Sequence, residues 1–142
     1  MILGGVEIPW PYGLTSYTDG DVLIHALIDA LLGASCLGDI GACFPDTEPK
    51  YEGCSSLLLL AEVKEMIRQA GFGVDHVDCT LVAQRPKLSP YVPQMRERIG
   101  RGLGVSVEQV SVKATTTEHM GFAGREEGMA CYAVCVVTPL PE

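Results

Sequence analysis

The sequence is poor in positive charge and has no long hydrophobic run. Its 142 residues include 10 Lys and Arg against 18 Asp and Glu, which gives a formal net charge of −8. Because nucleic-acid binding draws on a basic surface that displaces counterions, this balance argues against a nucleic-acid partner. The longest apolar stretch, at Leu57–Ala61, is far too short to cross a bilayer, and no secretory signal opens the chain. We therefore expect no membrane partner and a cytoplasmic location in a bacterium, or the plastid stroma in a plant or alga.

The sequence also lacks a C-x-x-C pair, although it contains six cysteines. Four of them lie in apolar segments, and the spacing of Cys131 and Cys135 puts this pair on one face of a predicted strand. A chain with 47% hydrophobic residues can bury a core without covalent links. The pattern favours free buried thiols in a cytosolic protein over a disulfide framework.

The length and the absence of repeats or linkers predict a single domain over residues 1–142. Hydrophobic periodicity and capping residues predict these elements in chain order: a strand at Ile2–Pro9 interrupted by Gly4-Gly5, a buried helix capped by Thr18 or Asp19 and running to about Ser35, a second helix from Ser55 or Ser56 to about Ala70, a strand at Val74–Val82, a third helix at Val92–Leu103, a strand marked by Val110, Val112 and Ala114, and a last strand at Met129–Val137. This order predicts an α+β, two-layer fold in which helices pack on one face of a mixed four-stranded sheet.

The first candidate site lies in the first predicted helix, where Asp21, His25 and Asp29 follow each other at intervals of four residues and so share one face. Burying polar groups on an apolar helix costs free energy unless these groups are paired. One interpretation is a core histidine satisfied by its neighbours. The other is His25 as a metal ligand, with Asp21 or Asp29 fixing its tautomer.

Three loops contain further candidates. The glycine-rich loop at Gly38–Gly53 has acids that could accept hydrogen bonds from sugar hydroxyls, or could simply be solvated in a turn. The segment 83–88 follows a strand and contains two cations beside a proline, of which Lys87 suits a phosphate. In the segment 113–125, threonine hydroxyls precede one carboxylate, Glu118, a combination that suits phosphate oxygens and Mg²⁺. Ordinary turn bonding in a threonine-rich loop is the alternative for this last segment.

Five motifs appear in order at the spacing of one known family: Asp19-Gly20-Asp21 with His25-Ala26-Leu27; Gly38-Asp39-Ile40-Gly41; Phe44-Pro45-Asp46-Thr47; Pro86-Lys87; and Lys113-Ala114-Thr115-Thr116-Thr117-Glu118 with Gly121-Phe122 and Gly124-Arg125. Together they resemble the 2-C-methyl-D-erythritol 2,4-cyclodiphosphate synthases of isoprenoid biosynthesis along almost the whole chain. The resemblance implies a homotrimer with active sites between subunits. It also implies a phosphorus–oxygen lyase that cyclises 4-diphosphocytidyl-2-C-methyl-D-erythritol 2-phosphate and releases CMP.

The resemblance also implies the role of each site residue. Thr116 would be catalytic, together with Tyr17, which stands where the family has a histidine near the reacting phosphates. Glu118 would bind Mg²⁺ or Mn²⁺, and His25 would bind zinc. The substrate-binding set would comprise Thr18, Asp39, Gly41, Phe44, Pro45, Asp46, Ala83, Lys87, Leu88, Thr115 and Thr117, with Phe122 and Arg125 at a cavity on the trimer axis that accepts an isoprenoid diphosphate.

Besides Tyr17, the sequence departs from the family pattern in a second respect, because the family has an opening strand whose Asp-x-His pair binds zinc. Here Ile2–Val6 matches the strand that follows it, so the domain is expected to lack the family's first strand and to have an incomplete zinc site. Truncation and real loss are both compatible with this pattern. Two alternatives to an active synthase therefore remain: an impaired cytidine-nucleotide or isoprenoid-diphosphate binding module on the same fold, and a structural or regulatory trimer.

Overall fold

The computed structural model describes residues 1–12 and 18–141. Its strands and α-helices, in chain order, are β1 (Ile2–Leu3), β2 (Val6–Glu7), α1 (Val22–Ala34), α2 (Ile40–Cys43), α3 (Ser56–Gln69), β3 (Phe72–Val82), α4 (Val92–Leu103), β4 (Val110–Thr115), α5 (Gly121–Gly124) and β5 (Ala130–Pro139). None of the described helices has the length and apolar character needed to cross a membrane.

The main sheet has three strands in the order β4-β3-β5. The central strand β3 pairs in parallel with β4 and antiparallel with β5, so the sheet is mixed, as expected. The prediction of four strands in this sheet is wrong for the described residues. The segment at Ile2–Pro9 forms instead a separate hairpin in which β1 pairs with β2. Gly4 and Gly5 make its turn with φ of 59° and 74°, a left-handed geometry that glycine adopts without steric cost.

The helices cover one face of the sheet, as the α+β class predicts. Helix α1 packs against β5 and β3, α3 lies between α1 and α4 and contacts β3, and α4 packs against β4. The inner side chains of β3 are Val77, Cys79 and Leu81, all buried against the helices. Alternation along β5 leaves the opposite face of the sheet exposed and apolar, with Tyr132 and Val134 each 68% exposed.

The ends of the helices follow from local hydrogen bonds. The expected cap of α1 at Thr18 or Asp19 is wrong: Asp21 caps the helix, and its Oδ1 accepts from the backbone N–H of Ile24 at 3.0 Å. The same buried Asp21 carboxylate also accepts hydrogen bonds from Gly4 and Gly5, whereas Asp19 accepts from the backbone N–H and the hydroxyl of Ser56. Ser55 caps α3, one of the two predicted positions.

The remaining elements match the sequence closely. Helix α4 spans the predicted Val92–Leu103, and the left-handed Gly104 ends it with φ of 69°. The two long predicted loops each contain one short helix, α2 and α5. All six cysteines are described and are free, as predicted, but the expectation that they are buried holds only for Cys79, and Cys36 is exposed. Cys131 and Cys135 both lie on the inner face of β5.

Candidate active site

The first cleft, called the His25 cleft here, has a volume of about 340 Å³ and opens between the start of α1 and the segment containing α2. Its lining comprises Thr18, His25, Ile40, Gly41, Phe44, Pro45, Asp46, Thr47 and Leu59. Phe44 is buried and meets Tyr51 edge-on, with 5.4 Å between the ring centroids. The rigid Phe-Pro wall therefore holds the exposed Asp46 carboxylate at the mouth of the cleft.

His25 is satisfied by hydroxyl groups from two neighbouring segments. Its Nε2 lies 3.0 Å from Thr18 Oγ1 and 2.8 Å from Ser56 Oγ. The Ser56 hydroxyl donates to Asp19 Oδ1 at 2.5 Å, so its oxygen is left to accept a hydrogen bond from His25 Nε2. Burial lowers the pKa of His25, while the negative charges of Asp19 and Asp29 oppose this shift. The network favours a neutral imidazole with the proton on Nε2.

The two acids expected to orient His25 have other partners. Asp21 binds the β1–β2 turn and the start of α1, as described above. Asp29 accepts from the backbone N–H of Ile40 at 2.8 Å and so ties α1 to α2. The prediction that one of them fixes the histidine tautomer is therefore wrong in this structure. No sequence pattern points to Ser56 as a partner of His25, because a serine at a helix start is already explained by capping.

The described residues do not fit a zinc site. Zinc is held by three or four protein ligands, but no group of three or more His, Cys, Asp or Glu side chains in residues 1–12 and 18–141 could hold a metal. The Nε2 of His25 also already contacts the Thr18 and Ser56 hydroxyls. We therefore derive no chemical step through zinc.

The second cleft, called the Lys87 cleft here, has a volume of about 640 Å³. Its lining comprises Trp10, Ala83, Gln84, Arg85, Pro86, Lys87, Leu88, Ser89, Ala114, Thr115 and Thr116. It forms because β3 and β4 run in parallel, which brings their carboxyl ends to one edge of the sheet. The backbone N–H of Ala83 donates to the carbonyl of Thr115 at 3.0 Å, so the two loops leave the sheet side by side.

One cation in the Lys87 cleft is available to a ligand. Ala83 and Leu88 are 6% and 3% exposed and anchor the loop in the core. The Lys87 side chain is exposed and forms no ion pair with any residue that the structure describes. Arg85, by contrast, is paired with Glu126 and lies 5.6 Å from the Trp10 ring. Sequence reasoning missed Trp10, although a lone tryptophan between two prolines was a visible signal.

The predicted metal-binding carboxylate lies on a tight turn beside this cleft. The backbone N–H of Met120 donates to the carbonyl of Thr117 at 3.0 Å and closes the turn over Glu118 and His119. Within the described ranges, no hydrogen bond or ion pair engages the exposed Glu118 carboxylate. One free carboxylate near hydroxyl groups fits Mg²⁺, which takes a few protein oxygens and completes its shell with water and phosphates.

The three threonines before Glu118 differ in how their hydroxyl protons are used. Thr115 Oγ1 donates to the carbonyl of Thr116 at 3.2 Å, and Thr117 Oγ1 donates to the carbonyl of Met120 at 2.5 Å. Thr116 Oγ1 instead accepts from the backbone N–H of Glu118 at 3.3 Å. Among the described residues, Thr116 alone of the three retains a hydroxyl proton for a ligand, which fits the role predicted for it.

The two clefts share no lining residue. The structure therefore divides the predicted site residues into one group around Asp46 and another around Lys87. Asp39 lies at the edge of the first group and caps α2, accepting from the backbone N–H of Ala42 at 2.8 Å. Phe122 is half-exposed on α5, and Arg125 pairs with Glu127 outside both clefts. Tyr17 lies outside the described residues.

The sequence matches the model of the YgbB family over residues 1–138. It is 55% identical over 137 residues to the 2-C-methyl-D-erythritol 2,4-cyclodiphosphate synthase of Desulforamulus reducens, covering 96% of this chain and 87% of that protein. It is 56% identical over 137 residues to the synthase of Ectopseudomonas mendocina, again covering 96% of this chain and 87% of the other.

Solved structures agree with these sequence matches. The bifunctional IspDF of Campylobacter jejuni superposes with a TM-score of 0.95 at 41% identity, covering 99% of this chain, and the chain spans 38% of that larger protein. The CDP complex of Plasmodium falciparum IspF superposes with a TM-score of 0.84 at 29% identity, covering 99% of this chain and 85% of that one. The chain therefore belongs to the YgbB family and is a homologue of the 2-C-methyl-D-erythritol 2,4-cyclodiphosphate synthases.

Proposed function

We propose that this protein is a 2-C-methyl-D-erythritol 2,4-cyclodiphosphate synthase of isoprenoid biosynthesis. Its substrate is 4-diphosphocytidyl-2-C-methyl-D-erythritol 2-phosphate, and its products are the cyclic diphosphate and CMP. The observation that carries the proposal is the identity of 55% over 96% of the chain with a synthase of this name. The chemical groups that line the Lys87 cleft also support the proposal.

The reaction moves one phosphoryl group within the substrate. An oxygen of the 2-phosphate forms a bond to the β-phosphorus, the bond from that phosphorus to the oxygen bridging to the α-phosphorus breaks, and CMP leaves with the electron pair. Such a transfer needs positioning and charge neutralisation rather than a covalent nucleophile. Mg²⁺ bound at Glu118 would neutralise charge on the diphosphate.

The chain's own groups supply the remaining requirements. Lys87 offers a nucleotide phosphate an ammonium that forms no ion pair with a described residue, and the backbone at Ala83 and Leu88 would border the space for the base. Thr116 would donate its free hydroxyl proton to an oxygen of the reacting diphosphate. Phe44, Pro45 and Asp46 would enclose the methylerythritol, while Asp39 and Gly41 would meet the ribose.

We further propose that the two clefts join across the interfaces of a homotrimer. In one chain they share no residue, so one bound substrate needs them brought together by a neighbouring subunit. The exposed apolar face of the sheet, with Tyr132 and Val134, supports a subunit interface, because patches of this kind are usually covered. Phe122 and Arg125 would then approach the trimer axis and the isoprenoid diphosphate proposed there.

The direct test is CMP release from the substrate in the presence of Mg²⁺, followed by separation of the nucleotides and ³¹P NMR of the other product. The proposal predicts one CMP and one cyclic diphosphate per substrate consumed. Glu118→Gln, which removes the charge and keeps the shape, should lower the rate by about a hundredfold or more, because loss of a metal ligand should cost at least as much as the ~10–100-fold typical of residues that only orient ligands. Glu62→Gln, at an exposed position on α3, is the matched control.

The second candidate is a module that binds cytidine nucleotides without turning them over. The observation that favours it is the absence of a zinc-type ligand group in the described parts of the chain. Calorimetry with CDP, with and without a zinc chelator, distinguishes the two. CDP binding that survives chelation, together with no CMP release from the substrate, would support the module and exclude the synthase.

A further inference from the structure

Gln84 joins the Lys87 cleft to the turn that carries Glu118. It follows Ala83 at the carboxyl end of β3, and its Oε1 accepts a hydrogen bond from the backbone N–H of His119 at 3.0 Å. The two residues are 35 positions apart in the chain. This one bond therefore connects the loop expected to hold the nucleotide with the turn expected to hold the metal.

The turn adopts a backbone conformation that its own residues disfavour. Glu118 and His119, its two central residues, have φ of 52° and 65°. Side chains other than glycine rarely occupy this left-handed region, because the Cβ atom crowds the backbone, and two such residues in succession are normally Asn-Gly or Gly-Gly. A turn of this kind persists only where surrounding contacts enforce it.

Most contacts that support the turn are local. Thr117 Oγ1 donates to the carbonyl of Met120 at 2.5 Å, and the N–H of Glu118 donates to Thr116 Oγ1 at 3.3 Å. Gly124 of α5 packs so closely that an added Cβ would lie 2.1 Å from the carbonyl carbon of His119. Among the described residues outside 115–128, Gln84 is the one whose side chain hydrogen-bonds to this turn.

We propose that Gln84 is a positioning residue that fixes the Glu118 carboxylate relative to the Lys87 cleft. This inference rests on the proposed function, because it assigns a role within the same site. Without the acceptor, the turn loses its tie to β3 and the carboxylate samples more positions. The metal ion then binds less well, whereas the nucleotide keeps its contacts with Lys87 and with the backbone at Ala83.

The first experiment measures the CMP-releasing activity of three variants against Mg²⁺ concentration. Gln84→Met keeps the length of the side chain but removes the acceptor. We expect the Mg²⁺ concentration for half-maximal rate to rise about tenfold, equivalent to about 1.4 kcal/mol, with little change in the Kd for CDP measured without metal. Gln84→Glu keeps an acceptor oxygen and should restore the Mg²⁺ response. Gln69→Met, on the exposed face of α3, is the matched control and should behave as the wild type.

A second substitution separates positioning from direct contact with substrate. His119→Gly relieves the strain of the left-handed backbone, since glycine adopts it freely. In the Gln84→Met background, it should recover much of the lost Mg²⁺ affinity. If Gln84 acted by touching the nucleotide, His119→Gly would not restore the Mg²⁺ affinity. Gln84→Met would instead raise the Kd for CDP. That result would overturn the proposal.

Amide hydrogen exchange gives a readout that needs no activity. In the wild type and in Gln84→Glu, the His119 N–H should be protected, and in Gln84→Met it should exchange about tenfold or more faster. Equal exchange rates in all three proteins would overturn the inference even in an active enzyme. If instead the wild type releases no CMP while His119 shows the expected protection pattern, the proposed function fails and the structural role of Gln84 stands.

Discussion

At the scale of single residues, the Lys87 cleft of this acidic protein contains one exposed cation that no described residue pairs with. The net charge is −8, so the surface as a whole repels a diphosphate. Lys87 is the local exception, because it is exposed and forms no ion pair with a described residue. Binding of the nucleotide phosphates should therefore depend strongly on this ammonium.

We predict that Lys87→Met weakens CDP binding by about tenfold to a hundredfold, the range expected for hydrogen bonds to charged groups. Isothermal titration calorimetry at two salt concentrations measures the effect, which should shrink at high salt because screening weakens the wild-type contact. Lys64→Met, on the exposed face of α3, is the control. Unchanged CDP affinity in Lys87→Met would remove Lys87 from the site.

A second residue-scale prediction concerns pH. Burial raises the pKa of Asp21 from 3.8 to about 6, although hydrogen bonds from Ile24, Gly5 and Gly4 lower it. Because the folded-state pKa is the higher one, the native state binds more protons between these values. The contribution of Asp21 to stability is therefore greatest below pH 3.8 and declines as the pH rises to about 6.

The change of the Asp21 pKa from 3.8 to about 6 corresponds to a contribution of about 3 kcal/mol to the free energy of unfolding. Asp21→Asn cannot titrate, so the difference in free energy of unfolding between wild type and variant should change by about 2–3 kcal/mol between pH 4 and pH 7. Urea denaturation at each pH measures it. A difference that stays constant over this range would show that the folded protein does not hold Asp21 at a raised pKa.

At the scale of elements, the sequence predicted the long helices well because several independent signals agreed. For α3 and α4, apolar periodicity coincides with a start signal and with a glycine at the end, so the predicted bounds lie within about two residues. The first segment failed for a physical reason. Gly4-Gly5 was read as an interruption of one strand, whereas two left-handed glycines reverse the chain into a hairpin.

The hairpin leads to a prediction about Gly4. A Cβ at Gly4 would lie 2.6 Å from Met95 Cγ on α4, and its φ is 59°. Gly53 has φ of 67° with no atom within 4 Å of the Cβ position, so it isolates the backbone cost. We expect Gly53→Ala to cost about 1 kcal/mol and Gly4→Ala about 3 kcal/mol in the free energy of unfolding. Equal costs in urea denaturation would mean that the hairpin does not pack on α4 as described.

The sequence predicts the loops of the candidate site better than it predicts the partners of His25. The sequence places segments 83–88 and 113–125 each after a strand, but it does not predict that they meet. The parallel pairing of β3 with β4 brings Lys87, Thr115 and Thr116 into one cleft. Spacing on α1 suggested acids beside His25, but the partners are Ser56 and, through it, Asp19. Such a contact between segments depends on the crossing of two helices, which helical periodicity does not specify.

At the scale of the whole molecule, the exposed face of the sheet predicts self-association. Val134→Asp places a charge in the centre of this face, where the wild-type side chain is 68% exposed in one chain. We expect this substitution to dissociate the proposed trimer, because burying an unpaired charge in an interface costs binding free energy. Leu58→Asp, at a position that is 65% exposed on α3, is the matched control. Sedimentation equilibrium measures the mass, and a trimer that survives Val134→Asp would place the interface elsewhere.

The central claim is that one active site combines Asp46, in the His25 cleft of one subunit, with the Glu118 turn of the neighbouring subunit. Asp46→Ala and Glu118→Gln should each be nearly inactive alone. Mixed and reassembled in equal amounts, they should regain about a quarter of the wild-type rate of CMP release, since about one interface in four then has both native residues. A mixture as inactive as its components, in trimers shown to have exchanged subunits, would contradict the account.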